Sequence, residues 1–351
     1  MNRKLSNILV TGGMGFIGSN FIRSLLEENN FSGRIINLDA LTYAGNPENL
    51  IDIENKYGSK YYFFEKGNIC NRELLDEVFK KYEIDTVINF AAESHVDRSI
   101  LKPVDFVETN VIGTFTLLES ARDYWKKSVD SFRDDVLFHH ISTDEVYGSL
   151  GETGSFSETT PYAPHSPYSA SKAASDFLVI SYFHTYGLPV TLSNCSNNYG
   201  PYQFPEKFIP LMILNMLSGK PLPVYGDGKN IRDWIYVSDH NNAVWTILQR
   251  GIIGEKYNIG GENELENIKL LEYLINVFAV KSKYDQSKIC NTITFIKDRP
   301  GHDRRYAINC SKIKKELCWK QKFDFKKGLE LTVDWYLSNK NWIQNVTYQK
   351  N

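Results

Sequence analysis

Two adjacent carboxylates, Asp144 and Glu145, follow the hydroxyl of Thr143 directly behind an apolar run over residues 136–141, and Gly148 closes the stretch. Such a pair suits a reaction that adds a proton to one atom and removes a proton from another. The run from Ser142 to Glu145 also fits a helix N-cap, so composition alone does not choose between chemistry and capping. A second pair stands downstream in Tyr168-Ser169-Ala170-Ser171-Lys172. Pro167 ahead of it is a helix-start signal, and residues at i and i+4 share a helix face with Cβ atoms ~5–6 Å apart. A free phenol titrates at about 10. A neighbouring ammonium is expected to lower that value and make Tyr168 a base.

These groups need a frame. The 136–141 run is short and apolar, as a buried parallel strand is, and open α/β sheets bind ligands beyond the carboxyl ends of such strands. The chain opens the same way. A strand over 8–10 runs into Thr11-Gly12-Gly13-Met14-Gly15-Phe16-Ile17-Gly18, followed by a helical pattern over 19–28. Gly12 allows a tight turn, Gly15 lets the backbone approach a pyrophosphate, and Gly18 lets helix pack on strand. The helix N-terminus supplies N–H groups for the phosphates, so the stretch predicts dinucleotide binding. Asp39 ends the second strand about 20 residues on, where a carboxylate bonds adenine-ribose hydroxyls and repels a 2′-phosphate; the predicted cofactor is NAD. Its positive nicotinamide ring adds to the expected lowering of Tyr168.

Further strands are predicted over 61–65, 86–90 and 190–192, with helices over 104–124 and from 167 to about 186. Alternation of strand and helix implies an α/β fold with a doubly wound parallel Rossmann sheet. Ala91 and Ala92 are small enough for backbone to pass close to the cofactor, and His95 reads as a structural or loop-orienting residue. Beyond residue 200 the rhythm loosens, with helices over 208–218, 239–250, 269–278 and 326–337 and a strand over 222–225. Residues 1–200 are therefore expected to be mainly the NAD-binding domain. Residues 201–351 are expected to be mainly a smaller substrate-binding domain, interleaved with the first. Two segments there, 228–234 and 298–306, carry arginines suited to a diphosphate.

Composition narrows the class. The 351 residues are enough for one large or two coupled domains. A net charge of −2 gives no nucleic-acid footprint. The five cysteines, Cys70, Cys195, Cys290, Cys310 and Cys318, form no C-x-x-C pair, so no metal site is expected and reduced thiols in the cytoplasm are. No apolar run approaches the ~20 residues of a membrane span, and the polar first residues do not read as a signal peptide.

The glycine turn with Tyr-x-x-x-Lys resembles the extended short-chain dehydrogenase/reductase superfamily. Within it, the stretches 39–46, 91–100, 139–148, 167–176, 194–207 and 298–308 resemble the dTDP-glucose 4,6-dehydratases. The adjacent Thr143-Asp144-Glu145 separates these from the nucleotide-sugar 4-epimerases, which share the fold and the Tyr/Lys pair. The resemblance implies oxidation of dTDP-glucose at C4, elimination of water across C5–C6, and return of hydride to C6, with NAD recycled. In that scheme Tyr168 takes the 4-hydroxyl proton, Lys172 tunes Tyr168 and holds the nicotinamide ribose, and Thr143 bonds the sugar oxygen. Glu145 removes the C5 proton and Asp144 protonates the departing 6-hydroxyl. Asp144 must then stay protonated near neutral pH, and about three units above the reference value costs about 4 kcal/mol. Neighbours on an extended strand face opposite ways, so both acids can reach one substrate only if the chain bends after Thr143.

The resemblance also implies cofactor contacts at Gly12, Gly15, Phe16, Ile17, Gly18, Asp39, Ala40, Leu41, Thr42, Asn68, Ile69, Ala91, Ala92, Thr109 and Asn198 besides Tyr168 and Lys172. Substrate contacts are implied at Ser94, Thr143, Asn197, Lys207, Phe208, Pro223, Val224, Tyr225, Arg232, Asn263, Asp298, Arg299, Pro300, Gly301 and His302. Asn68 and Asn309 stand where the family usually has aspartate. Asn68 still offers a carbonyl acceptor to the adenine amino group, which implies weaker rather than lost NAD binding. A homodimer paired through the 104–124 and 169–186 helices is implied as well. The rivals are a nucleotide-sugar 4-epimerase, which needs no Asp144-Glu145 pair, and a non-catalytic dinucleotide-sensing protein.

Overall fold

The computed structural model describes residues 2–29, 31–128 and 131–348. A seven-stranded, all-parallel sheet forms its centre: β1 (Asn7–Thr11), β2 (Arg34–Asp39), β3 (Tyr62–Lys66), β4 (Thr86–Asn89), β5 (Leu137–Thr143), β6 (Val190–Cys195) and β7 (Lys256–Ile259). Their spatial order is β7-β6-β5-β4-β1-β2-β3. Winding reverses between β1 and β4, so a crevice opens there at the carboxyl ends.

The period-2 pattern of the strands feeds two cores. Ile8 and Val10 of β1 point to the face covered by α1 (Phe16–Arg23) and α6 (Val237–Arg250), packing with Phe21, Ile22, Val244 and Ile247. Leu9 points to the other face, under α2 (Arg72–Tyr82), α3 (Thr114–Trp125) and α4 (Pro167–Tyr186), with Phe79, Leu117 and Val179. Covered on both faces, β5 buries all seven residues. That includes His139, whose ring nitrogens lie 2.9 Å from Thr191 Oγ1 and 3.1 Å from Ser193 Oγ. Burial pushes His139 down to about 3, so it sits neutral.

Local signals explain the positions of the helices. The Ser166 hydroxyl accepts from Ser169 N at 3.0 Å, Pro167 opens α4, and Gly187 ends it at φ +72°. The helix expected over 104–124 is three pieces: a short helix Pro103–Phe106, a π-helical segment Val107–Gly113, and α3. The wider turn brings Asn110 under α4, where its Nδ2 donates to Ser171 Oγ at 2.9 Å. Helix α2 was not anticipated, although its Asn71 N-cap and the spacing of Leu75, Val78 and Phe79 are helical signals.

A third core joins α5 (Phe208–Ser218), α7 (Asn267–Ser282) and α8 (Phe325–Ser338) over two small sheets. Leu222–Tyr225 pairs in parallel with Ile293–Ile296. Ile231–Tyr236 lies between Asn197–Tyr199 and Glu264–Glu266. After entering this layer the chain returns to the large sheet as α6 and β7. Among the described residues no helix is long and apolar enough to cross a membrane, and no cluster of His, Cys, Asp and Glu could hold a metal ion.

Candidate active site

A cavity of about 370 Å³ opens at the carboxyl ends of β1, β4, β5 and β6. One wall is the glycine turn. Gly12 sits at φ +70°, and a Cβ there would lie 2.7 Å from Ala91 N, so only glycine fits between turn and β4. Helix α1 begins behind Gly15 without a side-chain cap, which leaves its first N–H groups for a ligand. Asp39 binds the turn to the end of β2: Oδ2 accepts from Met14 N at 2.9 Å and Oδ1 from Leu41 N at 2.8 Å. Burial raises its carboxyl, and the two N–H bonds pull it back. Each oxygen keeps a lone pair for a ribose hydroxyl. The crevice, the glycine turn and Asp39 fit a dinucleotide.

Of the residues expected at the cofactor, Gly12, Gly15, Phe16, Ile17, Gly18, Asp39, Ala40, Thr42, Asn68, Ile69, Ala91, Ala92, Thr109, Tyr168, Lys172 and Asn198 all line this cavity. Leu41 does not. At φ +54° its side chain turns onto the core beneath β1. Asn68 is exposed and spends one acceptor site on Cys70 N at 2.9 Å.

The bend needed after Thr143 is present. Asp144–Tyr147 forms a 3₁₀ turn with Thr143 as its N-cap, Oγ1 accepting from Glu145 N at 3.3 Å. Capping and chemistry coexist: the turn brings Thr143, Asp144 and Glu145 onto one cavity wall. Asp144 is 1% exposed and its Oδ2 has no protein partner. Burial, then the charges of Glu145 and Asp233, push its carboxyl well above the usual range. Burial also raises Glu145, but Arg299, Arg232 and Lys207 oppose the rise. Both neighbouring acids are raised, Asp144 well above the usual range, while the three cations limit the rise of Glu145.

Tyr168, 9% exposed, lines the same cavity as this turn, and the Thr143 hydroxyl acts to lower its phenol. Where the sequence expectation is a lowered phenol, burial and the Glu145 charge hold it well above its ordinary value in the protein alone. Lys172 Nζ donates to Ile141 O at 2.7 Å and lies 3.3 Å from His140 Nε2. Burial brings Lys172 down to about 8.

Among the expected substrate contacts, Ser94, Thr143, Asn197, Lys207 and Phe208 line the cavity. Lys207 Nζ donates to Ser94 O at 2.7 Å. Arg232 and Arg299 act on Glu145 electrostatically from outside that lining. Arg232 Nη2 donates to Asp303 O at 2.9 Å, and its guanidinium lies 4.2 Å from the centre of the Tyr306 ring. The rest lie off the lining. Val224, 1% exposed, is core of the third cluster, and its strand neighbour Pro223 lies alongside. Tyr225 donates to Asp97 Oδ2 at 3.1 Å. Asn263 Nδ2 donates to Gly261 O at 2.5 Å. Asp298 Oδ1 meets His302 Nδ1 at 2.6 Å across Arg299, Pro300 and Gly301. His95 caps a short helix with Nε2 4.0 Å from Glu206 Oε2. Asn309 Oδ1 accepts from Ser311 N at 2.8 Å and serves a turn.

Glu93, Cys195, Gln203, Glu206 and Trp234 also line the cavity and were not anticipated. Cys195 had a signal, since in parallel register it stands beside Thr143 at the end of β6.

Residues 9–332 match the GDP-mannose 4,6 dehydratase family. A dTDP-glucose 4,6-dehydratase of Xanthomonas campestris pv. campestris is 55% identical over 339 residues, 96% of this chain and 95% of the relative. The structure of the dTDP-glucose 4,6-dehydratase of Streptomyces venezuelae, solved with NAD bound, superimposes with a TM-score of 0.88 at 42% identity, covering 97% of this chain and 99% of that one. The enzyme of the same description from Bacillus anthracis, also in complex with NAD, gives 0.85 at 47%, with 97% and 99% covered. On a match this long and this high, the chain belongs to the dTDP-glucose 4,6-dehydratase family.

Proposed function

We propose that this protein converts dTDP-glucose to dTDP-4-keto-6-deoxyglucose and water. The observation that carries the reading is the 3₁₀ turn that faces Asp144 and Glu145 into one cavity with Tyr168 and Lys172, with burial and the Glu145 charge favouring a protonated Asp144 and three cations beside Glu145 opposing its rise. An epimerase has no use for that acid–base pair. NAD, when bound, would supply a reversible hydride acceptor, and the glycine turn, Asp39 and Lys172 would hold it. Thr143 and Tyr168 bond the 4-hydroxyl, and Tyr168 takes its proton. A positive ring beside Tyr168 would offset the Glu145 charge and burial that raise the phenol in the protein alone. The C4 ketone acidifies the C5 proton, which Glu145 removes. Asp144, kept protonated, gives its proton to the leaving 6-hydroxyl. Asn197, Lys207, Arg232 and Arg299 are assigned to the sugar and diphosphate.

A homodimer paired through the helices on the α4 side is part of this proposal. Val104, Val107, Phe115 and Phe177 leave apolar side chains exposed on the segments expected to pair. Five free cysteines support a reducing cytoplasm. The reaction is tested by incubating the protein with dTDP-glucose and, in parallel, UDP-glucose, and reading the keto sugar by its absorbance in alkali. Product from dTDP-glucose is expected. Its absence in protein that retains NAD would favour a different nucleotide sugar or a dinucleotide sensor.

A further inference from the structure

Behind Lys172, away from the cavity, lies a closed polar cluster that the mechanism above does not use. Asp176 is the next residue on the Tyr168–Lys172 face of α4, and it is buried. Three donors converge on its Oδ2: Ser142 Oγ at 2.8 Å, Tyr162 Oη at 2.9 Å and Asn194 Nδ2 at 3.2 Å. Its Oδ1 accepts no hydrogen bond and lies 3.5 Å from His140 Nε2. The same His140 nitrogen lies 3.3 Å from Lys172 Nζ and 3.2 Å from Ser175 Oγ, and His140 Nδ1 lies 3.2 Å from Asn89 Nδ2. His140 is therefore wedged between the lysine and the carboxylate.

We propose that Asp176 and His140 are positioning residues for Lys172: Asp176 is the buried counter-charge that keeps the lysine an ammonium, and His140 fixes the head group on the Ile141 carbonyl. The proposal rests on the role given to Lys172 under the proposed function. Three neutral donors aimed at one oxygen stabilise Asp176 as an anion, because a carboxylate accepts and has nothing to donate. A buried ammonium needs such a partner, since desolvation favours its neutral form. His140 brings no competing charge; burial, then Lys172, hold it neutral. Burial raises Asp176 only to about 6, and Lys172 and the three donors oppose that rise.

The other groups facing the cluster do not replace this counter-charge. Cys195 lies on the cavity side of Lys172, and burial raises its thiol to about 12, so it stays neutral. Tyr147 and Tyr162 are phenols held above their ordinary values by burial. Lys256, over the Tyr162 ring at 4.5 Å, carries positive charge. Among the described residues Asp176 is the carboxylate that raises Lys172.

The test is the pH profile of nicotinamide reduction at the first step, in Asp176→Asn and in the parent. Lys172 is charged below its pKa, so losing the counter-charge lowers that pKa. The alkaline limb of the profile is expected to move down by about one to two pH units. His140→Gln is expected to shift it the same way by less, and it carries the test if Asp176→Asn does not fold. A uniform loss at every pH with the limb in place would assign the cluster to packing and overturn the proposal, as would an unchanged profile in either folded variant. A parent protein that makes no keto sugar would instead overturn the proposed function.

Discussion

Replacing Asp144 by asparagine separates the two halves of the reaction. Asparagine matches the shape of the buried carboxyl and still offers Thr143 an acceptor, but it has no proton to give the leaving hydroxyl. Loss of a positioned general acid costs ~10²–10⁴-fold in the step it serves. Oxidation does not need Asp144, which is held protonated and neutral. Mixed with dTDP-glucose, Asp144→Asn should show a rapid rise in reduced-nicotinamide absorbance, then keto-sugar formation slowed by that factor. Stability moves the other way. A carboxyl whose pKa is raised by folding stabilises the fold only below its unfolded pKa of ~4, and that contribution is lost as pH rises to the folded value, about 1.4 kcal/mol per unit. Asp144 is raised well above the usual range. Asp144→Asn should therefore melt above the parent at about pH 8, with the gap closing toward about pH 4. Keto-sugar formation within tenfold of the parent, or no reduced nicotinamide at all, would refute the assignment of Asp144 as the acid.

Tyr168→Phe removes the base and should lower nicotinamide reduction by ~10²-fold or more; near-parental reduction would unseat Tyr168. Asn68→Asp keeps the acceptor used by Cys70 N and adds charge at the adenine end of the cavity, so NAD should bind more tightly in a fluorescence titration, and equal or weaker binding would refute this. Phe177 is 63% exposed on α4, and Phe177→Glu should leave the melting temperature nearly unchanged while converting dimer to monomer in analytical ultracentrifugation. A Phe177→Glu dimer as tight as the parent's would move the interface elsewhere.

Local grammar carried much of the site. The glycine turn, Asp39 and the Tyr168–Lys172 spacing each lie within one strand–turn–helix unit, and each places side chains on the cavity. The Thr143 cap reads in the sequence as a rival to chemistry, and the structure shows the capped turn placing both acids on the cavity wall. What escaped the sequence depends on distant elements. The orientation of Lys172 is set by Ile141 and His140 on β5, so spacing along α4 did not reveal that its ammonium bonds the Ile141 carbonyl. Asp233, which helps raise Asp144, arrives from a strand some ninety residues on. Val224 has the strand pattern of a contact residue, and only the packing of α5 and α7 shows that it is core.

The return of β7 to the large sheet bears on how the chain acquires its shape during synthesis. Lys256–Ile259 covers the outer edge of β6, and Arg3 near the N-terminus donates to Leu248 O at 3.0 Å at the end of α6. Until residue 259 has emerged, β6 presents a row of unpaired N–H and C=O groups, the kind of edge on which other chains assemble. A fragment cut at residue 200 would hold the glycine turn, both acids, Tyr168 and Lys172, yet carry that open edge permanently. The glycine turn and the candidate acids and base are written in the first half of the chain, and the strand that covers their sheet's open edge is written in the second.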